Sequence, residues 1–300
     1  MTKPILLSIF TVCLAFPAEQ AHSQGNFADF QKQMQQNLNR FSGGMLGPVS
    51  SEEMKAIRQI PVSVREEQQF GQQILQRFAG NIRDVRGRRT SIVYRGADVD
   101  YLKQLAARIH PLMDNEKRYK QFKIGIMQTD QVDAFSIPGG TILFSRGLLE
   151  AAKSEAAVVG VLAHELSHLD RQHQLLGLRR QKQAQQKPNL SNMMANLSEV
   201  MKPFHAEFES EADEDAVRWM LQLNYEPKAL AELLLRWNEK QDAEQPWKDL
   251  MPGFLLTHPD GGTRADNVMK WRDEKIQPDT EFHVGIENLA QRKPRVNASP

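Results

Sequence analysis

Within Ser154 to His173 (SEAAVVGVLAHELSHLDRQH), an apolar run carries two histidines four residues apart. Four residues turn a helix by about 40° past a full turn, so His164 and His168 project one above the other. Val158, Val159, Leu162, Leu166 and Leu169 share one wide face of the same helix, which predicts that it runs through a core. Ser154 is placed to cap its start, and Glu155 falls in the first turn, where the helix dipole favours an acid. Two imidazoles at this spacing can hold one cation, and Glu165, one position on, can reach a water beside it. His164-Glu165-Leu166-Ser167-His168 is the H-E-x-x-H pattern associated with zinc on a helix. A buried helix that merely contains two histidines is the alternative, and a third ligand decides between them.

That ligand is sought in His205–Leu221 (HAEFESEADEDAVRWML), which holds six carboxylates, most of which must face water. On a helix Ala212, Asp213, Ala216 and Met220 fall on the side of Glu209, while Glu207, Glu211 and Glu214 fall opposite with Arg218. Glu209 and Asp213 are therefore the two acids forced into an apolar face, where a carboxylate is costly unless paired or metal-bound. Glu209 as metal ligand and Asp213 as hydrogen-bond partner of a ligand histidine would satisfy both. A buried pair bonded to arginine or backbone groups is the other possibility.

Taken together, HELSH, the ESEAD of Glu209 to Asp213, DAFSIPGG (Asp133 to Gly140) and HPDGGTR (His258 to Arg264) resemble the zinc metallopeptidases that include the CAAX prenyl protease, the membrane heat-shock protease HtpX and exported bacterial relatives. The resemblance extends over about residues 60–270. It implies a zincin-like (gluzincin) fold and one Zn2+ per chain on His164, His168 and Glu209. It also implies Glu165 as general base and Asp213 as a functional neighbour. The HP segment is implied to lie near the active site. His258 is then an oxyanion donor or a neutral fourth ligand that holds the enzyme latent; an ordinary loop histidine is the third reading. His258-Pro259 and Gly261-Gly262 read as a loop, with Arg264 able to anchor it to an acid. One departure is Asp133, where the family usually has Asn, which adds a charge near the expected substrate edge. The prenyl protease and HtpX have several membrane spans, so the chain resembles the exported branch.

Residues 1–23 read as a signal peptide: Lys3, the apolar run Ile5 to Phe16, Pro17, then Ala21-His22-Ser23 before a cleavage point. A retained N-terminal anchor is the alternative. Cys13 is the only cysteine, so a processed chain has no thiol chemistry and no disulfide framework. A net charge of +1 without a basic block argues against a nucleic-acid partner.

Residues 24–60 are expected to form an N-terminal arm, 61–272 the metallopeptidase domain and 273–300 a polar tail. Helices are predicted over 62–78 and 98–112, strands over 122–127 and 141–144, and a helix opened by Pro227. Asp133 to Gly140 reads as a hairpin connection or as a sheet edge to which an extended peptide adds. In 174–204 a polar, mobile stretch precedes an apolar stripe of Leu190, Met193, Met194, Leu197, Val200 and Met201. That stripe reads as a surface helix or an adaptable cover for a client or membrane.

The expected fold is therefore α+β, mainly helical, with a small β-sheet beside the H-E-x-x-H helix. The expected function is a zinc endopeptidase of the bacterial periplasm that degrades unfolded or misassembled exported proteins. A peripheral membrane or outer-membrane assembly contact is a further expected partner. A chaperone-like client-binding factor with little proteolysis is the alternative.

Overall fold

The computed structural model describes residues 51–79, 89–183, 206–242, 261–277 and 280–296. Its sheet comprises β1 (Ile92–Val93), β2 (Lys123–Met127), β3 (Ala134–Ile137) and β4 (Thr141–Ser145) in the order β1-β2-β4-β3. β2 and β4 run parallel with Ile124 opposite Ile142; β3 pairs antiparallel with β4, Ala134 opposite Phe144. Because β2 and β4 run parallel, Asp133 to Gly140 is not a hairpin connection between them. Ala134–Ile137 is the terminal strand of this sheet, and Pro138-Gly139-Gly140 turns it back into β4. Gly139 (φ 88°) and Gly140 (φ 85°) adopt the left-handed conformations that such a turn requires.

Alternation along the strands sends side chains to two faces. Ile124, Ile126, Ala134, Ile142 and Phe144 join the larger core. Met127, Ile137 and Leu143 pack with Phe70 and Ile74 of helix α2 (Val64–Ala79), which follows the short helix α1 (Ser51–Arg58). Buried Glu67 ties α2 to the hairpin: it accepts from Gly139 N at 2.8 Å, from Arg118 Nη2 at 2.6 Å and from the Tyr119 hydroxyl.

On the other face lie α3 (Ala97–Ile109) and, after α4 (Arg146–Ala151), the central helix α5 (Glu155–Asp170). The Ser154 hydroxyl accepts from Ala157 N at 3.2 Å and starts α5. Every residue of α5 is buried, not only its apolar face. Each fully buried Val or Leu contributes about 1.5–3 kcal/mol, and the polar positions are matched individually. Glu155 accepts from the hydroxyls of Tyr101 (3.0 Å) and Tyr225 (2.7 Å), and Asp170 from the backbone of Asp114 (2.9 Å) and Asn115 (2.7 Å). Ser167 donates to Asp215 at 2.6 Å. Gly160 permits close passage of α8 (Lys228–Asp242): a Cβ there would stand 2.8 Å from the Cβ of Leu230.

Three stretches differ from the sequence expectation. Ser51–Arg58, assigned to the arm by composition, is a helix whose Met54 and Ile57 pack with Leu176 and Phe208. Leu176–Gln183, expected to be mobile, is helix α6; buried Arg179 donates to the Ile60 carbonyl at 3.0 Å and to Gln172 Oε1 at 2.6 Å. The Leu190 to Met201 stripe lies outside the described residues. The expected C-terminal tail instead returns to the core. The carbonyls of Val284 and Gly285 accept from Ala156 N and Glu155 N, each at 3.0 Å, and Leu289 of α10 (Ile286–Gln291) is buried. These carbonyls satisfy amides at the start of α5 that have no partner within the helix.

α7 (Ala206–Gln222) packs against α5, and α9 (Gly261–Lys275) against α7 and α8. The fold is mainly helical α+β with a small sheet beside α5. Among the described residues no helix is long and apolar enough to cross a membrane.

Candidate metal centre

Helices α5 and α7 bring His164, His168 and Glu209 together, all buried, with one ligand atom of each within 4.8 Å of the others. His164 Nε2 and His168 Nε2 stand 3.0 Å apart; the two Glu209 oxygens lie 3.5 Å from the first and 3.3 Å from the second. Tetrahedral ligand atoms bonded to a cation at about 2.0–2.1 Å are separated by about 3.3–3.4 Å, close to these edges. Two nitrogens and a carboxylate also form a donor set suited to a transition cation, so the residues fit a metal.

The imidazoles must be neutral to bind. Burial pushes the His168 ring down to about 3, against the opposing pull of Glu209. Glu165 follows His164 on α5 and is itself buried.

Each histidine is held from behind through Nδ1. For His164 the partner is Asp213 Oδ1 at 2.8 Å, one turn along α7 from Glu209. Arg264 of α9 forks onto Asp213 at 2.7 and 2.8 Å, and its Nη1 lies 3.1 Å from Glu209 Oε2. Burial raises the Asp213 carboxyl, but Arg264 and then His164 outweigh it and hold it at about 2. For His168 the partner is His173, Nδ1 to Nδ1 at 2.8 Å. His173 Nε2 meets Glu211 Oε2 at 2.9 Å, and Arg58 reaches Glu211 at 3.1 and 3.2 Å. Burial alone would raise Glu211; His173 and Arg58 bring it down to about 2.

The structure therefore gathers His164, Glu165, His168, Glu209 and Asp213 in one place. Glu207 is exposed and Glu211 binds His173, so neither offers the centre a ligand in place of Glu209. His258 lies outside the described residues. Gly261 and Gly262, expected in a loop, form the first turn of α9, which aims Arg264 at Asp213 and Glu209. Sequence reasoning gave Arg264 an acid without naming which, and missed His173, Glu211 and Arg58. A third histidine nine positions after His164 was the one available sign of His173. Asp133 is buried at the start of β3, its amide donating to Ser145 Oγ at 2.9 Å. Gln174, just after His173, donates to Ser136 of β3 at 2.6 Å, tying the turn after α5 to the edge strand.

A model of the family "Peptidase family M48" matches residues 101–272. Over 165 residues the chain is 25% identical to the mitochondrial metalloendopeptidase OMA1 of Schizosaccharomyces pombe, covering 51% of this chain and 48% of that protein. Over 190 residues it is 23% identical to the β-barrel assembly-enhancing protease of Escherichia coli K12, covering 54% of this chain and 38% of the relative. The mitochondrial metalloendopeptidase OMA1 of Arabidopsis thaliana is 29% identical over 143 residues, 45% of this chain and 28% of that protein. The chain thus spans less than half the length of each of these relatives.

Proposed function

The chain belongs to peptidase family M48, and from that premise we propose that it is a zinc-dependent endopeptidase of the bacterial cell envelope that degrades misfolded or misassembled exported proteins. The observation that carries this reading is the convergence of His164, His168 and Glu209 around one point, with Glu165 buried on the same helix. These three residues would hold the zinc. When bound, the metal supplies Lewis acidity toward water and the scissile carbonyl. Glu165 accepts the proton of the attacking water and delivers it to the departing amine. Asp213 receives the Nδ1 hydrogen of His164 and so keeps the Nε2 lone pair facing the centre. An extended substrate pairs along β3, the terminal strand of the described sheet, with its backbone supplying the hydrogen bonds.

Export is supported by the Lys3, Ile5 to Phe16 and Ala21-His22-Ser23 pattern, with residues 1–23 removed. Protein substrates are in keeping with the names of the relatives, a β-barrel assembly-enhancing protease and a metalloendopeptidase.

The test is cleavage of unfolded casein by the purified chain, with bound metal quantified. Glu165→Gln should retain zinc and lose about 10²–10⁴-fold in rate. A zinc-loaded Glu165→Gln that cleaves like the wild type would remove Glu165 from the reaction. A zinc-loaded wild type that binds casein without cutting it would favour the client-binding alternative.

A further inference from the structure

The residues behind His168 differ in kind from an ordinary ligand support. Arg171 ends α5, and Gln172 takes a left-handed conformation (φ 59°) that few residues other than glycine adopt. This reversal brings His173 back beside His168. The His173 ring is then fixed in its plane by Phe208, stacked at 4.3 Å and 5°. The Arg58 guanidinium sits over the Phe208 ring at 4.4 Å while its fork holds Glu211. A strained turn, a stacked ring and an ion pair joined across 153 residues all converge on one imidazole.

Hydrogen placement gives the arrangement a direction. Both Glu211 oxygens accept from the Arg58 fork, so the carboxylate meets His173 Nε2 as an acceptor and the ring must donate to it. Two Nδ1 atoms at 2.8 Å share a single proton. If His173 supplied it, His168 would carry its own hydrogen on Nε2, aimed at Glu209 and His164, and could not bind a cation. With His168 as donor, His173 Nδ1 accepts, and the His168 Nε2 lone pair faces the centre.

We propose that His173, Glu211 and Arg58 are positioning residues that fix the tautomer and orientation of His168 for metal binding, making helix α1 part of the support of the metal centre. This inference rests on reading His164, His168 and Glu209 as metal ligands. Arg58 lies outside residues 101–272, so the last member of the relay comes from sequence beyond the family match.

The experiment is zinc affinity of the apo full chain, measured by competition with a chelating dye, alongside the cobalt absorption spectrum and thermal unfolding. His173→Phe keeps the ring and loses both nitrogens; it should weaken zinc about 10–100-fold and alter the cobalt bands. Glu211→Gln should weaken zinc about tenfold and Arg58→Met about threefold, an order set by distance from the centre. Arg58→Lys, which keeps the charge but not the fork, should recover part of the Arg58→Met loss. Wild-type zinc affinity in folded His173→Phe overturns the proposal, as do losses confined to unfolding temperature. If His173→Phe does not fold, near-isosteric Glu211→Gln decides: unchanged affinity and cobalt bands overturn it. A wild type that binds no zinc overturns the metal reading itself.

Discussion

The two histidines of α5 are supported from opposite sides by different chemistry. Behind His164 a carboxylate stands in direct contact, fully buried, and the arginine that neutralises it is also buried. Behind His168 the first contact is a neutral ring, and the charged pair comes one step later, with Glu211 and Arg58 both partly open to solvent. The first arrangement places a full negative charge beside a ligand where little water screens it. The second conveys direction and hydrogen placement while leaving the charges where water weakens them. The inner support should therefore be strong and brittle, and the outer one mild and tolerant.

The largest expected effect tests the brittleness. Arg264→Met leaves Asp213 and Glu209 buried without their arginine, and should destabilise the apo chain by about 3–5 kcal/mol. Arg58→Met breaks a pair whose members are 30% and 21% exposed and should cost about 0–1 kcal/mol. Urea unfolding of both variants measures the difference. Equal losses would break the contrast between the two supports.

The next effect is on metal rather than on folding. Asp213→Asn keeps the shape and removes the charge behind His164, so zinc should bind about 10–100-fold more weakly. Raising salt should leave that loss nearly unchanged, because the group is fully buried, while shrinking the loss caused by Glu211→Gln. Chelator competition at low and high salt checks both. An Asp213→Asn loss that fades with salt would put its charge in reach of solvent and erase the distinction.

The inner support was largely legible in the sequence and the outer one was not, for physical reasons. His164 and His168 are related by helical spacing alone. Glu209 and Asp213 stand out because Ala212, Ala216 and Met220 share their face, so a local pattern reports burial. His173 meets His168 only through the left-handed residue Gln172, and no propensity requires that conformation of a glutamine. Glu211 lies away from the Glu209 face of α7 and reads as solvent-facing; it becomes largely covered because His173 and Arg58 of α1, 153 residues away in sequence, pack there. The C-terminal return was illegible for a related reason. It is attached to α5 largely through the carbonyls of Val284 and Gly285, and backbone groups leave no mark on composition.

A comparably small effect concerns Asp215, one of the six carboxylates of the α7 segment, most of which were expected to face water. It accepts from Ser167 at 2.6 Å, from Arg171 at 2.6 and 3.0 Å and from Arg218 at 2.9 Å. Burial raises its carboxyl, but the bonds from Arg171 and Ser167 outweigh that and hold it below the ordinary value. A carboxylate depressed in the folded state stabilises the chain above its unfolded pKa of about 3.9, and that contribution is lost as pH falls through the lower folded value. Both arginines are more than a third or close to a third exposed, so solvent screens much of the attraction. Asp215→Asn should therefore cost only about 1 kcal/mol at pH 7. The wild-type advantage should be flat from pH 8 to pH 5 and shrink below about pH 4, as measured by urea midpoints across that range. An advantage that grows on acidification would reverse the sign and require Asp215 to be protonated in the folded chain. It would then join the helices as a neutral hydrogen-bonding group, and the charge shared with Arg171 would no longer link it to Glu211 and the outer support.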